Sequence, residues 1–441
     1  MGIDHIFETA LPGKKPLITV KEWKAILDYY LNAAPGTLPG QGRPVFKTAT
    51  HFFTVTKTMV PEGNIPATSF IKIDEGNHWI YAANTFDFSV NIYSTKLKLI
   101  ARNMIGAAAV DFNFNSSLQE AGLRDGVFTN IGIMNPNDRA TGTAESFQLD
   151  KKGNLIERNL LFDSIPRPVQ ITKADLDNDG RQDYVICGFG NTTGALYWMK
   201  SLDSNRFEKK ILSPFPGAIR SYVDDFNKDG LPDIMVLMAQ SREGIFIYLN
   251  KTNGLFETRQ LLAFPPVFGS SYFDLVDFNK DGYQDILYTC GDNDDYSSIL
   301  KYYHGVYIYL NDGKNNFKQK YFFPIHGCYK AMARDFDKDG DLDIAAISFF
   351  PDTSNQPQES FVYLEQTSPF IFSPYGITAF DEGRWMTMDA GDLDGDGYDD
   401  IVLGSLIPPI PGKVTEWKKS NKQKAAILLL HNEGGSLNKK R

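Results

Sequence analysis

From about residue 65 to residue 432 the chain alternates short apolar runs with polar clusters, and five of those clusters are near copies of one another. They read DLDNDGRQDY from Asp175, DFNKDGLPDI from Asp225, DFNKDGYQDI from Asp277, DFDKDGDLDI from Asp335 and DLDGDGYDDI from Asp392. Their starts lie 50, 52, 58 and 57 residues apart, a period that marks a repeat architecture. Each copy leads into a β-type run, such as YVICGF from Tyr184, IMVLMA from Ile234 or IAAISFF from Ile344, and then into a second, such as ALYWM at Ala195 or GVYIYLN at Gly305. Several add a third run with a Phe near its start (RFEKKIL, LFETRQLL, NFKQKYFF). Counting the short run before each acidic loop, a unit holds four strands, the content of one propeller blade.

Weaker echoes precede Asp175. FIKIDEGNHWIYAAN from Phe70, and AVDFNFNSS from Ala109 through GVFTNIGIM at Gly126, each read as strand, loop, strand without a complete acidic loop. Two degenerate blades bring the expected total to seven, an all-β seven-bladed propeller with four-stranded blades. The last unit ends after AAILLLHNEGG without a final strand, while ATHFFTVTK at 49–57 is an alternating strand left over at the other end. Pairing the two closes the ring and removes a free sheet edge. Residues 17–34 instead repeat Val20, Trp23, Ile26, Leu27, Tyr30 and Leu31 at helical spacing, with Thr19 and Glu22 as a capping box and Pro35-Gly36 as the stop. The expected organisation is a helical segment over 1–44, the propeller over 45–435 and a basic tail over 436–441.

The acidic loops carry the clearest chemistry. Carboxylates at loop positions 1, 3 and 5 alternate with residues pointing away, and Gly at position 6 turns the backbone so that the carbonyl of position 7 joins the same oxygen cage. The expected ligands are Asp175, Asp177, Asp179, the Arg181 carbonyl and Asp183; Asp225, Asn227, Asp229, the Leu231 carbonyl and Asp233; and Asp277, Asn279, Asp281, the Tyr283 carbonyl and Asp285. The last two sets are Asp335, Asp337, Asp339, the Asp341 carbonyl and Asp343, and Asp392, Asp394, Asp396, the Tyr398 carbonyl and Asp400. An EF-hand would place Glu at position 12 between helices. Here position 12 is Ile186, Val236, Tyr288, Ala346 or Leu403, the flanks are strands, and Asp at position 9 closes the cage. Oxygen-only ligands argue against zinc and copper, and a cage of four side chains leaves little room for the waters magnesium keeps. Five Ca²⁺ sites are expected, the two with Asn somewhat weaker.

The net charge of -9, from 45 Lys plus Arg against 54 Asp plus Glu, argues against a nucleic-acid partner, and five Ca²⁺ would carry it to +1. The longest apolar runs are far shorter than the roughly 20 residues of a membrane span. Residues 1–20 hold no basic segment followed by an apolar stretch, so no secretory signal is visible. Cys187, Cys290 and Cys328 show no C-x-x-C spacing and read as small buried apolar residues.

At the acidic loops the chain resembles the FG-GAP or VCBS repeat family, the calcium-loop β-propellers also found in integrin α-subunit heads. The resemblance covers roughly residues 65–432 and implies calcium at the five loops, with nothing carried over to the degenerate loops near Asp74 and Asp111. It also implies an extracellular, periplasmic or cell-surface location of bacterial type, where millimolar calcium fills weak loops. The helix ending at Ala34-Pro35 resembles the closing helix of small c-type haem domains that precede such propellers. The chain has no C-x-x-C-H, so Met1 is expected to be an internal boundary with a signal and a haem segment upstream.

On the face opposite the acidic loops, three long connections are expected, at 290–305, 349–360 and 404–424. Long loops on a rigid scaffold are where binding resides. Blade-to-blade connections are expected to bring Arg167, Arg220, His326, Lys330 and Arg384 toward the axis there, with Tyr222, Tyr329 and Trp385 beside them. Cations with aromatic platforms suit a carbohydrate, an acidic sugar or a peptide carboxylate. Asp292, Asp294, Asp295 and His304, with Asp352, form a further candidate cluster, and Lys301, Tyr302, Tyr303 and His304 could supply an acid and a base. No nucleophile elbow, phosphate loop or zinc-protease helix is present. The reading is a monomeric module binding a glycan or protein, with a calcium-dependent polysaccharide lyase or hydrolase, or a scaffold for an upstream haem domain, as alternatives.

Overall fold

Strands whose residues are buried on both faces need no alternation, and the second strand of each acidic-loop repeat is of this kind. Asp183–Gly188, Asp233–Met238, Asp285–Cys290, Asp343–Ser348 and Asp400–Ser405 are buried at every residue, because each is sandwiched between neighbouring sheets. The outer strands, such as Phe207–Ser213 and Phe256–Ala263, are largely exposed and carry the Lys, Glu and Arg residues of the pattern. The computed structural model describes residues 19–33, 44–49, 52–60, 64–115, 124–203, 206–240, 242–252, 254–292, 300–407 and 424–434.

The chain divides into two compact units, residues 1–43 and 44–441. The first contains the helix Val20–Ala33. Its capping box forms as expected: Glu22 N donates to Thr19 Oγ1 at 3.2 Å and Thr19 N donates to Glu22 Oε2 at 2.7 Å. The second unit is a ring of seven sheets. In chain order the blades span 68–104, 109–165, 168–213, 218–263, 270–324, 328–376 and 385–432, each an antiparallel set of four strands running from the axis outward.

The ring closes as the leftover strand predicts. Phe53–Met59 pairs antiparallel with Ala425–Asn432 as the outer strand of blade 7, with Val55 opposite Leu430. One element escapes the sequence reading: Lys47–Thr48 adds a fifth, parallel strand to the edge of blade 6, opposite Tyr375 and Gly376. The N-terminal segment thereby supplies the outermost strand of both blade 6 and blade 7. Cys187, Cys290 and Cys328 are free and buried in the core.

Seven inner strands surround the axis, and each has a register shift directly after its first residue. Side chains on these strands tie every blade to the next. Ser69 Oγ donates to Ala109 O at 2.6 Å, Ile171 N to Asp111 Oδ2 at 3.1 Å, and Gln170 Nε2 to Ser221 O at 3.1 Å. Tyr222 OH donates to Asp274 Oδ1 at 2.5 Å, and Ser271 Oγ to Cys328 O at 3.2 Å. Lys330 Nζ donates to Met388 O at 2.6 Å, and Ile73 N to Asp389 Oδ2 at 2.8 Å, which completes the circle.

Candidate metal loops and channel mouth

Each acidic loop is held in one conformation by its own carboxylates. The Gly at position 6 donates to the carboxylate at position 1 in four loops, Gly180 to Asp175 at 2.8 Å, Gly230 to Asp225 at 2.8 Å, Gly282 to Asp277 at 2.9 Å and Gly397 to Asp392 at 3.1 Å. In all five, the N–H of position 7 reaches Oδ1 of position 5, as Arg181 does to Asp179 at 2.9 Å. Position 6 lies at positive φ in every loop, as the glycines require. Position 4 does as well: Asn178, Lys228, Lys280 and Lys338 have φ of 55, 60, 58 and 61°. That second left-handed residue is invisible to a reading that looks only for glycine.

The turns converge carboxylate oxygens. One oxygen from each of Asp175, Asp177 and Asp179 lies within 4.8 Å of the others, and the same holds for Asp335, Asp337 and Asp339 and for Asp392, Asp394 and Asp396. In the remaining two loops Asn227 and Asn279 turn their amides onto Asp229 and Asp281 at 2.9 and 2.8 Å. Asp177 Oδ1, Asp233 Oδ2, Asp335 Oδ1, Asp341 Oδ1 and Asp400 Oδ2 are buried with no hydrogen-bond donor. A buried carboxylate oxygen without a donor is costly unless a cation serves it. The donor set therefore fits a hard divalent cation on its own chemistry.

Position 9 has a second task beyond the one read from the sequence. Its carboxylate takes the backbone N–H at the end of the blade's third strand in all five repeats: Ser201 to Asp183 at 2.7 Å, and Asn250, Asn311, Gln366 and Asn432 to Asp233, Asp285, Asp343 and Asp400 at 2.8 Å each. Burial pushes Asp285 and Asp400 up to about 6 and Asp343 up to about 7. Protein cations also approach these loops. Lys200 pairs with Asp177 and Arg181 with Asp179, while His431 Nδ1 lies 2.8 Å from Asp400 Oδ1.

The residue at position 2 anchors each loop. Leu176, Phe278, Phe336 and Leu393 are buried, and their neighbours in space hold the loop backbone. Asn250 Nδ2 donates to Leu176 O at 2.7 Å, Asn315 Nδ2 to Phe226 O at 2.9 Å and Asn432 Nδ2 to Phe336 O at 2.7 Å; His78 Nδ1 lies 2.8 Å from Leu393 O. Each of these side chains belongs to the following blade, so four of the five acidic loops are tied to the next blade at position 2. Blade 1 lacks the cage and uses a guanidinium instead: Arg124 Nε donates to the buried Asp74 at 2.8 Å.

At the other end of the inner strands, residues of all seven blades enclose a cavity of about 360 Å³. Its walls are apolar at Ile131, Met134, Phe189, Phe349 and Phe350, and its charged groups are Arg167, Arg220, Lys330, Asp111 and Asp292. Arg220 lies over the rings of Tyr222 and Tyr272 at 4.9 and 4.5 Å and donates through Nε to Tyr222 OH at 2.8 Å. Lys330 lies 4.9 Å from the Tyr272 centroid, and burial lowers its ammonium to about 8. Burial likewise lowers Arg167, whose guanidinium sits 5.4 Å from the Phe189 ring.

Three of the seven residues expected to face a ligand thus line the cavity, and four do not. Trp385 is the clear correction: it is completely buried, in the core shared by blades 6 and 7 with Met388 and Leu403. Its expected place rested on reading it as part of a blade-to-blade connection; it is instead the first residue of the inner strand Trp385–Gly391, ahead of the register shift, and its ring packs into the core. Arg384 stands behind the wall, stacked 4.0 Å from the Phe349 centroid with Nε donating to Phe349 O at 2.8 Å. His304 is buried, accepts the Gly327 N–H at 3.2 Å and stacks on the half-buried His326 at 5.4 Å. Burial, reinforced by the charges of His326 and Lys301, pulls His304 down to about 3, so it is neutral at any ordinary pH. Asp352 accepts Asn355 Nδ2 at 3.0 Å within its own loop, and Asp294, Asp295 and the connection from 408 to 423 lie outside the described residues.

Residues 175–236, 225–288 and 335–403 match the family described as FG-GAP-like repeat. Among solved structures, a catalytically inactive virginiamycin B lyase from Staphylococcus aureus with quinupristin aligns with TM-score 0.51 and 11% identity, covering 86% of this chain and 99% of that one. The Neurospora crassa Pan2 WD40 domain aligns with TM-score 0.50 and 10% identity over 85% of this chain and 94% of its own. At such identities the likeness is one of fold, because propellers host unrelated activities.

Proposed function

We propose that this chain, an FG-GAP-repeat β-propeller, is a calcium-stabilised extracytoplasmic binding module that holds a glycan or protein ligand at the face opposite its acidic loops. The observation that carries the binding reading is the cavity at the channel mouth, to which all seven blades contribute. A pocket with mostly apolar walls and a few convergent polar groups is the ordinary form of a ligand site. The rigid ring of inter-blade hydrogen bonds beneath it fixes those groups in advance, which lowers the ordering cost of binding.

Calcium belongs to the reading through the acidic loops. Five buried carboxylate oxygens without donors, and three aspartate triads with converging oxygens, support a hard cation at the loops of Asp175, Asp225, Asp335 and Asp392, and the Asp277 loop joins them by its like backbone hydrogen bonds alone. Bound there, calcium would neutralise carboxylates that otherwise repel one another; its role is stability, remote from the channel mouth. Affinities in the range of extracellular modules would keep the loops filled outside the cytoplasm. Among the described residues no helix is long and apolar enough to cross a membrane.

The lyase or hydrolase alternative draws no support from His304, whose buried, neutral ring is absent from the cavity wall. Electrophoresis of the calcium-loaded protein through native gels containing acidic and neutral polysaccharides tests the reading. Retardation that Lys330→Ala weakens, with calcium content unchanged, is the expected result for a glycan ligand. Clearing of the polymer around the band would establish cleavage instead. Unchanged mobility across the panel would remove glycans and leave a protein ligand, to be sought with the same Lys330→Ala control.

A further inference from the structure

The residue just before each inner strand occupies an equivalent place in all seven blades. Its carbonyl accepts the N–H of the residue that follows the second strand: Ala67 from Thr85, Ala108 from Ile131, Arg167 from Phe189, Gly217 from Ala239, Gly269 from Gly291, Gly327 from Phe349 and Arg384 from Leu406. In blades 4, 5 and 6 that residue is glycine at φ of 101, 63 and 63°. In blade 3 the same left-handed backbone is carried by Arg167, at φ 40°. Arginine has a Cβ to accommodate there, and the following Pro168 restricts it further. A strained position kept by a large charged residue where the repeat uses glycine points to a task for its side chain.

That side chain is placed at the channel mouth, where the carboxylate that acts on it, Asp292, shares the cavity wall without forming an ion pair with it. Arg167 is 8% exposed and forms part of the cavity wall. Two of its N–H groups are engaged, both by neutral carbonyls: Nη1 donates to Gly190 O at 2.8 Å and Nη2 to Met134 O at 3.2 Å. Its Nε is buried with no acceptor. Among the described residues no carboxylate lies within ion-pair distance of it, in contrast to Arg124, Arg158 and Arg102, each of which has one. A guanidinium has five donors in a fixed plane and is always protonated, so a buried one with only carbonyl partners is completed by a planar anion.

We propose that the cavity selects a carboxylate borne on a compact apolar body, the carboxylate pairing with Arg167 and the body lying against Phe189, Phe349 and Phe350. This rests on the channel mouth being the binding face and names the ligand chemistry that face prefers. A cavity of about 360 Å³ holds a group of the size of a phenylpropionate or the terminal residue of a peptide. The anion is the selective element, since aromatic walls alone accept acid and neutral analogue alike.

The test uses the calcium-loaded full chain with four probes: 3-phenylpropionate, its amide, a short peptide ending in Phe with a free carboxylate, and the same peptide amidated. Saturation-transfer NMR and calorimetry give the affinities. At least one acid is expected to bind about tenfold or more tightly than its own amide, the size of a charge-assisted contact; preference for the free acid or for the peptide identifies the source. Arg167→Gly places in blade 3 the residue that blades 4, 5 and 6 already carry, which suits the left-handed backbone, and it is expected to abolish the preference with calcium content and the thermal midpoint little changed. Arg167→Lys is expected to lose most of it, because the planar fork is gone. Equal binding of acid and amide, a preference that survives Arg167→Gly, or no binding of any probe at millimolar concentration each overturns the inference. Retardation in the polysaccharide gels, or capture of a protein ligand sensitive to Lys330→Ala, would still stand in those cases, so failure here is distinct from failure of the binding face.

Discussion

Asn432 joins two blades through one residue: its backbone N–H donates to Asp400 Oδ1 at 2.8 Å within blade 7, and its side-chain Nδ2 donates to Phe336 O at 2.7 Å in the acidic loop of blade 6. The strand that ends at Asn432 is also the one that receives the N-terminal strand Phe53–Met59, with Phe53 opposite Asn432. The stitch between acidic loops and the closure of the ring therefore meet at a single point.

Asn432→Ala leaves the Phe336 carbonyl buried without its donor. Unsatisfied buried groups cost about 1–3 kcal/mol, and urea unfolding monitored by fluorescence should show a loss of that size. Asn250→Ala removes the equivalent bond to Leu176 without touching the closing blade, so a larger effect of Asn432→Ala in the unfolding rate would locate the weak point of the ring at its closure.

Calcium removal should lower stability, because the buried oxygens of Asp177, Asp233, Asp335, Asp341 and Asp400 lose their counter-charge. By mass action a site held at a hundredfold excess over its Kd contributes about 2.7 kcal/mol. Scanning calorimetry in chelator and in millimolar Ca²⁺ should give a midpoint that rises with calcium and does not rise comparably with Mg²⁺. Atomic emission on dialysed protein is expected to approach five Ca²⁺ per chain; a content near three would mean that the loops with Asn227 and Asn279 are the weak pair.

Trp385→Ala should act on the fold and not selectively on a ligand. The ring is completely buried in the largest side-chain cluster between blades 6 and 7, and truncating such a residue costs about 3–5 kcal/mol. Chemical denaturation measures this directly. Weakened ligand binding without a fall in stability would contradict the burial.

Glu243 supplies a pH dependence that is separate from the acidic loops. It is 5% exposed, accepts Ser270 N at 3.1 Å and Ser270 Oγ at 2.8 Å, and burial pushes its carboxyl up to about 7. A folded value above the ordinary one near 4.5 means the folded state binds the extra proton between those values. Its contribution is therefore fully present below about pH 4.5, is lost as the pH rises through about 7, and is constant above that. Glu243→Gln should remove this slope; an identical slope in stability against pH for the variant and the parent would show that the group titrates normally.

Much of this protein is legible from the sequence because its repeat unit is local. Seven blades, the leftover strand that closes the ring, the capping box at Thr19 and Glu22 and the five carboxylate loops all follow from patterns a few residues long, copied at a nearly constant period. Arg220 and Lys330 line the cavity from inner strands, Ala218–Asp224 and Cys328–Arg334, where the sequence suggests blade-to-blade connections.

What the tertiary structure alone decided depends on phase and on neighbours in the next blade. Trp385 faces the core because it opens an inner strand that packs between blades 6 and 7, where the sequence suggests a connection at the axis. Position 9 of the acidic loops serves the end of the third strand as well as the cage, a partnership across 17 to 32 residues that the loop motif does not contain. Arg167 is a candidate from the sequence, but its left-handed backbone, in a place that three other blades give to glycine, belongs to the folded ring alone. A short repeat specifies the conformation of its own backbone; the direction and company of a side chain at a blade junction are set by which strand lies beside it, and that is fixed only when the ring closes.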